Sequence, residues 1–253
     1  MTTLEIYNFI NQIAPFKTQM SFDNSGFLVG NENSDVSKVL LSLDISSEVI
    51  DECKRINANL IISHHPVIFH PLKSLKSNSI PYKLVKNNIS AICAHTNLDL
   101  YEKGVNYCLF NALCLNDVTP LTFYNKLPLG FCGIMLNEMN AYNFANFVKD
   151  KLKCDNLRFT DINNKIKKVA VSSGSGGSSV AHAIEKKCDA FVTGEIKYSD
   201  ILLANENNLS IFDVGHFKSE NVIIPYLEEL LQKEFNMVEF VESKVFSDKI
   251  KFI

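Results

Sequence analysis

Short aliphatic runs, each closed by a polar residue, recur along the first part of this chain: Val39-Leu40-Leu41-Ser42-Leu43-Asp44, Leu60-Ile61-Ile62-Ser63 and Ile89-Ser90-Ala91-Ile92-Cys93-Ala94. Runs this brief, rich in β-branched and aliphatic residues without polar alternation, predict strands covered on both faces. Between them, Ser47-Glu48-Val49-Ile50-Asp51-Glu52-Cys53 and Pro81-Tyr82-Lys83-Leu84-Val85-Lys86 carry helical spacing. Strand, helix, strand, helix, strand is the order of a mainly parallel sheet. Ahead of it, Thr2-Thr3-Leu4-Glu5 and the amphipathic Ile6 to Ile10 form the pattern of a capping box at a helix start.

The pattern then restarts. Val169-Ala170-Val171-Ser172 predicts a strand, Ser178 to Lys187 a helix, Ala190-Phe191-Val192-Thr193 a strand, Tyr198 to Asn205 a helix and Ser210-Ile211-Phe212-Asp213 a strand. A helix over Asn221 to Phe235 and a strand over Val238 to Val241 follow. From 116 to 165 the chain is more polar, with Leu127-Pro128-Leu129-Gly130 and the Asn-rich Asp161-Ile162-Asn163-Asn164. The expectation is an α/β fold of two domains, residues 1–115 with 214–253 and residues 116–213.

Composition narrows the class. At 253 residues, 46% hydrophobic and 21% charged, the chain is long enough for a sizeable core and unlike a disordered or low-complexity sequence. A net charge of -3 gives no overall positive field for nucleic acid. No apolar run approaches the roughly 18 residues that cross a bilayer, and no basic leader precedes the first helix, so a cytoplasmic protein is expected. The seven cysteines are scattered and never arranged as C-x-x-C, so they read as small apolar core residues.

In open parallel sheets, ligands gather at the carboxyl ends of strands. The polar residues ending these strands are Asp44, His64 with His65, His95 with Asp99, Glu195, and Gly215-His216. Pro66 restricts His65 to an extended conformation, so the adjacent imidazoles of His64 and His65 point apart and suit two metals better than one. Spacing i,i+4 puts His216 and Glu220 on one helical face. Taken singly, each of these is also what a polar turn or a surface pair looks like. Jointly, four of the six histidines fall at strand ends beside acids, which points to a metal site. Imidazole and carboxylate without thiolate suits zinc, iron, manganese, nickel or cobalt. His70 reads as a loop residue and His182 as part of a helix surface.

At these residues the sequence resembles the GTP cyclohydrolase 1 type 2 family, also called the Nif-three-like (Ngg-one-interacting-factor-like) dinuclear metal proteins. The resemblance runs nearly end to end: Asp23-Asn24-Ser25-Gly26-Phe27-Leu28-Val29-Gly30, Ser63-His64-His65-Pro66, Ala94-His95-Thr96-Asn97-Leu98-Asp99, Gly104-Val105-Asn106, Gly174-Ser175-Gly176-Gly177, Thr193-Gly194-Glu195-Ile196-Lys197-Tyr198, and Gly215-His216 with Glu220. It implies two interlinked α/β domains, two divalent metals in the cleft between them and a toroidal homohexamer. Carried over residue by residue, it implies His64 and Asp99 on one metal, His65 and His216 on the other, and Glu220 bridging both. His95 is then a candidate to orient Asp99, and Asp44 a further candidate to support the ligands from behind. The chain departs from the family pattern at Ser199, where many members have His, and at Phe217-Lys218-Ser219, where Tyr-Ala-Thr is commoner. Those departures bear on substrate preference rather than on the ligands.

Gly174 to Gly177 follows a strand and precedes a helix, so it is either a tight turn or a place where amides receive an anion. Asp23-Asn24 and Gly26 read as a structural turn near the site. The functional expectation is a metal-dependent hydrolase of a small nucleotide, with Glu195 and Lys197 as possible helpers in proton transfer or phosphate binding. The competing expectations are a metal-stabilised oligomeric scaffold without catalysis and a phosphoesterase using the same metals.

Overall fold

The structure, a computed structural model, describes residues 1–163 and 165–251. Asn164, at the end of the polar stretch, and residues 252 and 253 lie outside them. The chain begins with α1 (Thr3–Ile13), β1 (Gly26–Val29), β2 (Lys38–Ser42), α2 (Ser47–Arg55), β3 (Leu60–Ser63), α3 (Ile80–Lys86), β4 (Ser90–Cys93) and α4 (Thr96–Asp99). It continues with α5 (Val105–Ala112), β5 (Asn116–Tyr124), β6 (Leu127–Asn140), α6 (Ala141–Leu152), β7 (Arg158–Phe159), β8 (Lys165–Ser172), α7 (Val180–Glu185), β9 (Ala190–Thr193), α8 (Tyr198–Glu206), β10 (Ser210–Asp213) and α9 (His216–Glu220). It closes with α10 (Ile223–Glu234) and β11 (Glu239–Glu242). These elements form two compact units, one of residues 1–98 with 224–247, the other of the described residues in 99–223 with 248–251.

The first unit holds a sheet in the order β1-β4-β3-β2-β11. β4, β3, β2 and β11 run parallel, and β1 pairs antiparallel with β4 at one edge. Every residue of β3 and β4 is buried, as an aliphatic run covered on both faces must be. The helices start where the sequence offers caps. Thr2 Oγ1 accepts from Glu5 N while Thr2 N donates to Glu5 Oε2, closing the box expected at α1. Ser46 accepts from Val49 N at the start of α2. The core packs Leu40, Val49, Ile50, Cys53, Ile61, Leu84 and Ala91. Buried Glu52 of α2 accepts hydrogen bonds from Ser243 Oγ and Lys244 N at 2.5 and 3.1 Å, fastening the segment after β11.

The second unit holds a sheet in the order β5-β6-β8-β9-β10-β7. Its β8, β9 and β10 are parallel, joined through α7 and α8 as the alternating pattern predicted. The sheet extends beyond those three strands with antiparallel pairs: β5 with β6, β6 with β8, and β7 with β10. For β5 and β6 the physical reason is their connection. Asn125 and Lys126 both stand at positive φ, 47° and 70°, and a loop of two such residues can only fold a chain back antiparallel.

Helix α5 places Leu109 and Phe110 in the second unit's core, with Leu113, Phe144, Val169, Val192 and Phe212. A Cβ on Gly133 of β6 would meet Phe110 Cε2 at 2.3 Å, so glycine is what lets that ring lie on the strand. The chain therefore enters the second unit after Leu98 and leaves it after Ile223, where the sequence pattern set the handovers at 115 and 213.

Candidate metal centre

In the first unit, three strand ends are brought side by side by parallel register. Ser42 pairs with Ser63 and Ser63 with Cys93, so the residues that follow β2, β3 and β4 leave the same edge of the sheet. Backbone bonds continue past the strands, His64 N to Ser42 O at 3.3 Å, His65 N to Leu43 O at 2.8 Å and Ala94 N to Ser63 O at 2.9 Å. This fixes where each imidazole starts. A ring nitrogen from each of His64, His65 and His95 lies within 4.8 Å of the others. The ring centroids are 5.1 Å apart for His64 and His65, 5.1 Å for His64 and His95, and 5.5 Å for His65 and His95.

Each imidazole is oriented through Nδ1. His64, fully buried, has Nδ1 2.9 Å from the carbonyl oxygen of Ala94; a carbonyl only accepts, so Nδ1 carries the hydrogen and Nε2 the lone pair. His65 Nδ1 lies 2.9 Å from Asp44 Oδ2, and His95 Nδ1 2.8 Å from Asp23 Oδ1. Carboxylate or carbonyl on Nδ1 with a basic Nε2 is how metal-binding histidines are held in one tautomer and made more basic. The donor set therefore fits a divalent metal of the imidazole-preferring kind.

Asp23 lies in the turn expected near the site, its N donating to Met20 O at 3.0 Å, and its side chain is in addition a hub. β1 runs antiparallel to β4 with Gly26 opposite Cys93, which carries the residues before Gly26 alongside those after Cys93. Asp23 accordingly accepts from His95 Nδ1, Thr96 N and Ser25 Oγ at 2.8, 3.0 and 2.8 Å. Burial by itself would raise its carboxyl, but hydrogen bonds from His95, Thr96 and Ser25 and the attraction of His95 hold it far below the usual carboxylate range.

In the second unit, Gly215 at φ 82° turns the chain out of β10 and into α9. The i,i+4 pair is on one face as expected: His216 Nε2 is 3.0 Å from Glu220 Oε2, with the Glu220 side chain only 5% exposed. His216 Nδ1 lies 3.3 Å from Glu195 Oε1, which follows β9 and is 57% exposed. Two glycines let the strand ends close on this helix. A Cβ on Gly174 would lie 2.2 Å from Glu220 Oε1, and one on Gly194 would lie 2.4 Å from Ser219 Oγ and 2.9 Å from His216 Cα. Ser219 Oγ accepts from Gly174 N at 2.9 Å and donates to His216 O at 2.8 Å. The Gly174 to Gly177 segment is thus a tight turn packed against α9.

Asp99 closes α4, and one of its carboxylate oxygens is buried. Its backbone oxygen accepts from Asn106 Nδ2 at 3.1 Å, while Asn106 Oδ1 accepts from Ser173 N at 2.9 Å. That bridge ties Asp99 to the turn beside α9. A cavity of about 370 Å³ adjoins His216, lined also by Glu195, Arg158, Lys218, Asp213 and Asp248. Arg158 is paired with Asp213 across β7 and β10. The two remaining histidines lie as the sequence suggests: His70 sits exposed in a loop, and His182 of α7 pairs with Glu185 at 3.4 Å. Among the cysteines, burial pushes the Cys53 and Cys108 thiols up to about 12.

A family model described as Duf34/NIF3 (NGG1p interacting factor 3) matches residues 1–249. The chain belongs to that family. Within Duf34/NIF3, it is 34% identical over 260 residues to a protein of Clostridium perfringens named "GTP cyclohydrolase 1 type 2 homolog", covering 98% of each chain. A Campylobacter jejuni relative of the same name is 37% identical over 239 residues, 92% of each. Among solved structures, a hypothetical protein of Staphylococcus aureus superposes with a TM-score of 0.93 at 31% identity, covering 100% of this chain and 99% of that one. For a Duf34/NIF3 chain, the helices carry a further fact: among the described residues, none is long and apolar enough to cross a membrane.

Proposed function

We propose that this Duf34/NIF3 chain is a divalent-metal-dependent hydrolase of a small nucleotide. The observation that carries the reading is the imidazole cluster of His64, His65 and His95, each ring turned by an acceptor on Nδ1 so that Nε2 is basic. The names of the relatives supply the substrate class. In the proposed assignment, His64 and Asp99 would hold one ion, His65 and His216 the other, and Glu220 would be shared between them, with His95 as an orienting group beside the ligands. Divalent metal there would supply the Lewis acidity that makes water nucleophilic near neutral pH.

The chain's own groups do the rest. Asp44 and Asp23 hold the tautomers of His65 and His95. Glu195, exposed beside His216, would accept a proton from an attacking water. A ring of six subunits belongs to the same proposal, and sedimentation velocity reads it directly.

The test is elemental analysis of the purified protein followed by incubation of the metal-loaded form with GTP and with simple phosphodiesters. About two ions per chain and turnover of GTP, both diminished in His65→Ala and Glu220→Ala, are expected. Glu220→Ala should lose more than one ion. Full metal loading with no turnover of any of these substrates overturns the hydrolase reading.

A further inference from the structure

Next to the imidazole cluster, the first unit displays two aromatic side chains that its core does not use. Phe22 and Phe69 are 60% and 39% exposed. Their ring centroids are 6.4 Å apart with planes tilted by 42°, and the Phe69 ring lies 6.4 Å from that of His95. Scattered exposed phenylalanines are ordinary, but two facing each other beside a cluster of metal-binding type are a surface with a use.

Both rings stand on anchored backbone. Asn24 Nδ2 donates to Ile68 O at 2.6 Å, joining the residue before Phe69 to the turn that carries Phe22. Asp23, the neighbour of Phe22, is fixed by His95, Thr96 and Ser25. The turn whose Asp23 orients His95 therefore also carries Phe22, and through Asn24 it is tied to the backbone just before Phe69. A flat ring sandwiched between two others needs about 7 Å, two contacts of about 3.5 Å each. The observed 6.4 Å is the spacing of two rings in mutual contact, so admitting a third requires them to part by about 0.6 Å and to turn out of the 42° tilt toward parallel. A flat heteroaromatic ring seated there would stack on Phe22 and Phe69 and bring its polar edge to His95, and the exposed imidazole of His70, 4.8 Å from Phe69 between centroids, borders the slot.

We propose that Phe22 and Phe69 form a stacking slot for the planar heterocycle of the substrate, so that the site selects base-bearing nucleotides over sugar phosphates and simple phosphoesters. This rests on the hydrolase reading above and names its specificity determinant. The experiment is isothermal titration of the metal-loaded protein with guanosine monophosphate, ribose 5-phosphate and inorganic phosphate. Phe22→Ala, Phe69→Ala and Phe69→Tyr are compared with the wild type, and metal content and sedimentation are measured on each.

Each alanine variant should weaken guanosine monophosphate by about 5- to 100-fold, the loss of stacking by one base, and leave ribose 5-phosphate and phosphate unchanged. Phe69→Tyr should retain wild-type affinity. Equal binding of guanosine monophosphate and ribose 5-phosphate by the wild type overturns the slot, as does no measurable nucleotide binding. Alanine variants that bind the nucleotide normally but change the sedimentation coefficient also overturn it, because the rings then serve contact with a second copy. Loss of nucleotide affinity in the alanine variants of a protein that turns over no substrate upholds the slot and removes the hydrolase reading alone.

Discussion

Replacing Gly174 by alanine tests whether close packing of the strand end on α9 is what holds Glu220 in place. Gly174 stands at φ 59°, and an added Cβ would lie 2.2 Å from Glu220 Oε1. The left-handed backbone alone costs an alanine about 1–2 kcal/mol. The clash adds to this. It falls on the end of a side chain, but that carboxylate is only 5% exposed and sits 3.0 Å from His216 Nε2. Moving it disturbs a buried, charge-assisted contact, a further loss of about 1–2 kcal/mol. Gly215→Ala separates the two contributions, since Gly215 has φ 82° but nothing within 4 Å of an added Cβ. Urea denaturation should therefore find Gly174→Ala less stable than Gly215→Ala by about 1–2 kcal/mol, and elemental analysis should find metal lost from Gly174→Ala alone. Equal stability and equal metal content in the two variants would refute the argument.

Three further perturbations probe other parts. Asp44→Ala removes the carboxylate from His65 Nδ1, so metal affinity in competition with a chromophoric chelator should drop by about 10- to 100-fold; an unchanged affinity would show that Asp44 does not orient the ring. Glu52→Ala leaves Ser243 and Lys244 without their acceptor and should destabilise the first unit by about 1–3 kcal/mol, with faster amide exchange in β11 as the local signature. Phe144→Ala empties a fully buried site packed edge-on against Phe212 at 4.7 Å and should cost about 3–5 kcal/mol in denaturant unfolding, whereas a loss under 1 kcal/mol would mean the core collapses into the space.

Much of the first sheet was legible because its strands are short, apolar on both faces and separated by capped helices. The polar residues ending them, Asp44, His64, His65 and His95, could be picked out for the same reason: an aliphatic run that stops at a polar residue marks where a strand leaves the sheet. The hairpin of β5 and β6 was harder to see. Its turn uses Asn125-Lys126 rather than an Asn-Gly pair, and β5 is largely exposed, so neither the turn nor the apolar pattern announces it. The hub role of Asp23 was missed for a different reason. Its partner His95 is distant in the chain, and the two meet only because β1 reverses direction against β4. A short-range pattern cannot encode that. The i,i+4 relation of His216 and Glu220, which a single helix turn determines, was readable at once.

The position of β11 has a consequence for biosynthesis. The strand borders β2 in parallel register, Glu239 opposite Lys38, yet among the described strands it is the last to be made. The flank of β2 therefore stays open on the ribosome until residues 239–242 emerge, long after the bulk of the second unit has been synthesised. During that interval an uncovered strand is a template for a neighbouring nascent chain. Lys38 stands on that flank, and its ammonium group later meets Glu239 Oε2 at 2.8 Å. Before then the charge repels a like copy of β2, so one lysine guards the nascent edge first and welcomes its final neighbour afterwards.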